Sequence, residues 1–390
     1  MPDFITEPPR DIPIIARVQV LVCGGGPAGV AAAIAASRAG AATILLERYG
    51  HLGGLATGGL VIALPQHDCG SERVMGGISR EFREALVEGA HLQLSTWGWD
   101  YFDPEALKLI SAETLLASGA RLMLHRLVVT PIMDGAHIRG SIVESKAGRE
   151  AILADQVVDA TGDGDIFARA GAPFSAYRRP IGLPCRFVNV DTEQVERFRR
   201  EHGDEYEAIF QQARQESGWT ERAELLQWMP TFGKGVFWTN NHIATADGCD
   251  PDVLSGLEVE GRRRLRGFTD HLRAHMPGCA DMMLIETASQ LGVRVTRLLD
   301  AEAIVRDDDV NHPERPCANS IGRAINGNRQ ECVFDVPFGC LVPPGFPNLI
   351  VAGRCVGSEA GDAIEAMRLI HVCWMTGEAA GAEAARRATS

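Results

Sequence analysis

Apolar residues in the first part of this chain fall in short, nearly unbroken runs, and turns or long helical stretches separate them. Residues 18–23 and 43–46 are such runs, and residues 157–160 form another. Runs of this length, apolar on both faces, predict strands of a parallel sheet covered on either side by helices. Between the first two lies an alanine-rich stretch that predicts a helix, closed at Gly40. Further on the pattern predicts a helix near 77–88 and another opened by Asp103-Pro104-Glu105, with an acid at the cap and proline in the first turn, running to about 118. A strand is expected over 121–130, then a hairpin of 138–145 and 150–153 turning at Ala147-Gly148, then the buried strand 157–160. Later come a charged helix over 257–275, a short helix from Asp281, a strand and turn over 348–354, and an alanine-rich helix over 363–386.

The join between the first strand and first helix carries the chemistry. It reads Gly24-Gly25-Gly26-Pro27-Ala28-Gly29, a G-x-G-x-x-G pattern standing between a strand and a helix. The first glycine permits the tight turn, the second lets backbone approach a diphosphate, and the third lets the helix pack on the strand. Amides at the start of the helix then face the anion, which the helix dipole favours. The second strand ends at Glu47, where a carboxylate can accept hydrogen bonds from ribose hydroxyls.

A second glycine-rich segment follows Arg48: Gly53-Gly54-Leu55-Ala56-Thr57-Gly58-Gly59. It resembles the segment that lies along the extended diphosphate in FAD proteins of the glutathione-reductase-like class, so FAD is expected rather than NAD. The stretch VVDATGDGDIFARAGAPF, ending at Phe174, is similar to the strand and turn that close the FAD site in the FAD-dependent oxidoreductase family. The resemblance runs from Val18 to Ala385. It implies that backbone near Val128 meets the adenine, that Thr161, Gly162 and Asp163 form the closing turn, and that Gly353 and Arg354 reach the diphosphate and flavin. The expected fold is α/β, a Rossmann-like FAD-binding domain of residues 1–175 and 331–390 with an inserted α+β substrate domain of residues 176–330.

Two side chains are expected to act in catalysis. Arg294 lies in Gly292-Val293-Arg294-Val295-Thr296-Arg297, similar to a G-V-R-x-x-R stretch of the family. Its fixed charge can stabilise an anionic reduced flavin or hold a substrate carboxylate, with a structural ion pair as the plainer reading. His371 stands where relatives tend to carry proline, and reads either as a general acid or base or as a packed core residue. Asn240, Asn241 and His242 follow an aromatic strand and read equally as a pocket lining or a capping turn. The aromatics Trp97, Trp99, Tyr101 and Phe102 read as a packed wall between domains, with a substrate cage as the alternative.

Composition narrows the partners. With 51 acidic against 38 basic residues and a net charge of -13, nucleic acid is not an expected partner. No apolar run approaches the roughly 18 residues that span a bilayer, and the start lacks the basic and apolar regions of a signal peptide, so a cytoplasmic protein is expected. The 10 cysteines form no C-x-x-C pair, and His271 and His275 lack a third ligand nearby, so no metal is expected. The leading expectation is an oxidoreductase moving a hydride between a small organic molecule and FAD. A flavin monooxygenase using NADPH and oxygen, a redox-neutral flavin-dependent lyase or isomerase, and a non-catalytic flavin-binding scaffold stay open, as does a homo-oligomer.

Overall fold

A computed structural model describes residues 5–390 apart from 67, 70–71, 96–97, 220–225, 313–316, 318 and 328, and gives only the backbone of 68–69, 72–73 and 329–332. His67 and Trp97 therefore lie outside the described residues. The chain builds on a seven-stranded sheet. At its centre is β1, Ile14–Cys23, which begins four residues before the apolar run at 18. Val20, Leu21, Val22 and Cys23 are fully buried, as a strand covered on both faces requires. The helix α1, Pro27–Arg38, follows, and then β2, Thr43–Leu46, which pairs parallel to β1.

On the other side of β1 runs the strand Gly148–Asp159, also parallel to it. The chain thus leaves β1 to one side and returns on the other, which opens a crevice at the strands' carboxyl ends. Arg121–Met123 extends the sheet beyond β2, and Leu349–Val351 joins parallel to the last residues of Gly148–Asp159. The first residues of that long strand pair antiparallel with His137–Ser145 instead, which pairs in turn with Leu127–Asp134.

Helix positions were legible in the pattern, and strand continuity less so. Gly77–Glu88 is a helix, and Pro104–Ala117 is one capped by Asp103, whose carboxylate accepts from the Glu105 amide at 3.0 Å. The strand expected over 121–130 is broken, because His125 takes a left-handed turn with φ 57°. The expected separate strands at 150–153 and 157–160 are one. The short helix expected from Asp281 is instead the strand Met283–Thr287, which pairs antiparallel with Cys185–Val188. The expected helix over 363–386 is two, Asp362–Met367 and Ile370–Thr389, with Leu369 extended at ψ 146° between them.

The helix Ile370–Thr389 lies directly on α1. A methyl group on Gly377 or Gly381 would collide with the backbone carbonyls of Ala28 and Ala32, so glycine at both positions is what allows the two helices to approach. Here the end of the chain is packed on its beginning, and Leu349–Val351 is locked into the same sheet.

A second apolar core gathers residues 181–293, with Leu60. Its sheet has the order Leu226–Pro230, Phe237–Asn241, Cys185–Val188, Met283–Thr287. The long helix Pro251–His275 packs on this sheet through Phe268, whose ring lies 6.4 Å from that of Phe187. Val295, Leu298, Leu299, Ala324 and Ile325 join the first core, so the chain has crossed back well before residue 330. A separate three-stranded sheet sets Arg179–Gly182 between Ala244–Ala246 and Gly292–Val293, with Ile181 opposite Val293. Arg179 therefore opens one strand, and Arg294 directly follows the strand beside it.

Candidate active site

The carboxyl ends of β1, β2, Gly148–Asp159 and Leu349–Val351 meet at one edge of the sheet. A cavity of about 900 Å³ opens there and continues into the second core. Of the residues expected to hold the cofactor, it is lined by Gly24, Gly26, Pro27, Ala28, Glu47, Arg48, Gly54, Leu55, Thr161, Gly162, Asp163, Gly353 and Arg354. Gly29, Gly53 and Val128 do not line it.

The glycines divide the work physically. Gly24 has φ 103°, and a Cβ there would strike the Ala160 carbonyl. At Gly29 a Cβ would strike the Gly24 carbonyl, so glycine here lets the helix seat on the turn. At Gly26 a Cβ would meet nothing within 4 Å, so that face opens to the cavity. Gly26 is also the N-cap of α1, and no side chain caps the helix. Uncapped amides at a helix start beside a concave space suit a diphosphate.

Glu47 is buried. One carboxylate oxygen accepts from the Gly25 amide at 2.7 Å and the other from the Tyr49 amide at 2.8 Å, which fixes the group at the cavity wall with lone pairs left for hydroxyls. The second glycine segment is bound to the first: the Gly53 amide donates to the Gly25 carbonyl at 2.8 Å. A Cβ on Gly54 would lie 2.9 Å from the Gly26 Cα. Gly53 therefore acts from behind the wall.

The closing turn rests on a residue that the sequence reading passed over. Asp159 is fully buried and accepts from the Thr161 amide and hydroxyl and from the amides of Ile166 and Phe167, at 2.7–3.1 Å. Burial pushes its carboxyl up, against the pull of those donors. The signal was present as an acid at the end of an otherwise apolar run. Asp163 in turn accepts from Arg354 at 2.7 Å and from the Thr296 hydroxyl at 2.7 Å, while Arg297 donates to its carbonyl at 2.9 Å. These contacts tie the turn to the strand end at Gly353 and to the chain returning from the second core.

The two residues expected to be catalytic separate. Arg294 lines the cavity, donating to the Pro180 carbonyl at 3.2 Å and the Asn240 side-chain carbonyl at 3.1 Å. Both partners are neutral. Burial, then the nearby charge of Arg368, pushes it down to about 9 from the usual arginine range, with Glu365 opposing. It stays cationic near neutrality. His371 is fully buried inside Ile370–Thr389, does not line the cavity, and has Nε2 at 3.4 Å from the Ile325 carbonyl. The absence of a proline there serves helix continuity and packing. Asn240, Asn241 and His242 all line the cavity, and His242 is the one histidine that does so among the described residues.

Trp99 and Tyr101 of the expected aromatic wall face the same space, joined there by Trp238. Burial raises Tyr101 to about 12, so its phenol stays neutral, with the hydroxyl 2.7 Å from the Met229 sulfur. Cys373 also reaches the cavity, but burial pushes its thiol up to about 12, which leaves it protonated and inert. His271 donates through Nδ1 to the Glu216 carboxylate at 2.8 Å and lies against His275, ring centres 4.5 Å apart.

A fold with a nucleotide crevice at the carboxyl ends of its strands, and a substrate-sized chamber beside it, defines a dinucleotide-dependent enzyme class. The chain belongs to the FAD dependent oxidoreductase family, whose model matches residues 19–390. No curated protein matches the sequence. Among solved structures it is similar to the flavin-dependent brominase Bmp2, with a TM-score of 0.50 and 11% identity over 96% of this chain and 80% of that one. It is also similar to a geranylgeranyl bacteriochlorophyll reductase-like protein from Thermoplasma acidophilum, with a TM-score of 0.49 and 13% identity over 95% and 77% of the two chains. A third is p-nitrophenol 4-monooxygenase from Pseudomonas putida, with a TM-score of 0.48 and 13% identity over 89% and 75%. At these identities the likeness is one of fold. FAD is the cofactor, and the uncapped start of α1, the open face at Gly26 and the held carboxylate of Glu47 fit it.

Proposed function

We propose that the chain is a FAD-dependent dehydrogenase or reductase, moving a hydride between a small organic substrate and the cofactor. The observation that carries this reading is the continuity of the cavity from the glycine turn at Gly24 and Gly26 to the polar wall of Asn240, Asn241 and His242. Bound FAD supplies acceptance or donation of the hydride, and the protein supplies orientation and proton handling. Gly26 and the first turn of α1 hold the diphosphate, and Glu47 holds ribose hydroxyls. Arg294 presents fixed positive charge where negative charge builds up.

The proton passes through His242 rather than His371. An imidazole changes protonation in the physiological range, and His242 is placed on the chamber wall while His371 is sealed in the core. Trp99, Tyr101, Met229 and Trp238 give the chamber an apolar side. The sequence holds no second strand-linked glycine fingerprint for a nicotinamide nucleotide, which sets the chain apart from the two-nucleotide architecture of disulfide reductases.

A panel of alcohols, amines and organic acids mixed anaerobically with the FAD-loaded protein tests this. For whichever compound bleaches the flavin band, H242N slows bleaching by about 100-fold or more with FAD retained. H371N leaves the rate within a few-fold. The reverse ranking of the two variants contradicts the assignment.

A further inference from the structure

The substrate chamber carries an imbalance of charge that the cofactor cradle does not account for. Arg179, Arg294 and Arg368 all line it, and the acid among them is Glu365, paired to Arg368. Burial pushes the Glu365 carboxyl up, but Arg368, Arg294 and Arg179 outweigh it and hold the group below the usual carboxylate range. One carboxylate is thus shared among three guanidinium groups. Glu258 also lines the cavity, but its carboxylate is engaged by Arg262 from the same helix. Asp163 is engaged by Arg354, and Glu47 by backbone amides.

The cations are arranged so that positive charge is left over. Arg294 donates only to two neutral oxygens. Nothing described bonds to the Arg179 side chain, although its strand fixes it beside Gly292–Val293. The buried Nε of Arg368 and Nε2 of Gln290, another lining residue, have no acceptor among the described residues. The long helix Ile370–Thr389 begins at the same wall, with no side-chain cap and with Leu369 and Ile370 lining the cavity, so its positive end adds to the field. Taking unpaired cations out of water is costly, and a bound anion offsets that cost. Around the same space stand Trp99, Tyr101, Met229 and Trp238, which suit an apolar or planar body.

From this geometry we infer that the substrate is an organic acid, its carboxylate held by Arg179, Arg294 and Arg368 and its apolar body set against the Trp99, Tyr101 and Trp238 wall. The inference rests on the reading of this end of the cavity as the substrate chamber, and it is tested by binding without turnover. The same positive charge could instead serve an anionic form of the cofactor, and the experiment separates the two sources.

FAD-loaded protein is titrated with benzoate, with its neutral isostere benzamide, and with acetate, and the shift of the flavin absorption band is followed. Benzoate binds at least tenfold more tightly than benzamide, and also more tightly than acetate. In R179Q and R368Q, benzoate affinity falls at least tenfold to the level of benzamide while FAD retention and Tm stay at their wild-type values. Rescue of the preference for benzoate by R179K separates a lost charge from a lost shape. Equal binding of benzoate and benzamide overturns the inference, as does no band shift with any of the three. If R179Q and R368Q lose FAD and keep the benzoate preference, the charge belongs to the cofactor and the inference is likewise overturned. None of these results depends on whether a hydride moves, so the proposed reaction can fail while the acid site stands.

Discussion

Gly24 and Gly26 are two residues apart and respond oppositely to a methyl group. Gly24 holds a left-handed φ of 103° with the Ala160 carbonyl against its α-carbon, so G24A strains the backbone and clashes at once. Gly26 has φ -70° and open space beside it, so G26A fits the folded chain. The expected outcome is a split: G24A loses about 2 kcal/mol or more of stability, whereas apo G26A melts with wild-type Tm and binds FAD at least tenfold more weakly. Thermal melts of the apo proteins and FAD titrations check both. At this scale much was legible, because Gly24 and Gly29 answer to steric demands of the fold and Gly26 leaves open the face where a ligand approaches. Asp159 was not, since an acid ending a buried strand looks like any solvated turn until its four donors are seen. Of the two readings of His371 the packed one fits its burial, since position beside a motif does not say which face of a helix a side chain takes.

The packing of Ile370–Thr389 on α1 is the main contact between the two ends of the chain. Near its end, Glu383 accepts from Arg386 at 2.6 Å and from Arg387 at 2.8 Å, and the first of these is the largest cause that lowers its carboxyl to about 2. A folded-state value below the unfolded one means that the stabilisation is complete above the ordinary value near 4.5 and is lost as pH falls towards 2. E383Q therefore melts below wild type at neutral pH, and the gap closes as the pH is taken down through that window. Melting curves of the two proteins at stepped pH show it, and a gap independent of pH would refute the ion-pair origin. The elements themselves were mostly legible, since alanine-rich and capped stretches announce helices. What the pattern hid was where an element stops. The break at Leu369 and the turn at His125 follow from tertiary contacts, and five residues such as Met283–Thr287 take whichever sheet edge is free.

Across the whole molecule, the site is assembled from parts far apart in sequence. The glycine turn, Glu47, the Asp163 turn and Gly353 come from four strand ends of one sheet, and Arg179, His242 and Arg294 are supplied by the second core. Their meeting in one cavity could not be read from spacing. The cradle half was legible because dinucleotide binding imposes a local pattern, and the chamber half was not because substrate contacts impose none. Among the described residues no helix is long and apolar enough to cross a membrane. Across this shared space electrons are proposed to pass between a small organic molecule and FAD. Anaerobic mixing of the FAD-loaded protein with an organic-acid panel, without any nicotinamide nucleotide, tests it most directly. The expected result is bleaching of the oxidised flavin by a member of the panel, or reoxidation of chemically reduced flavin by one. Redox exchange only with NADPH, followed by oxygen consumption and a hydroxylated product, would contradict it.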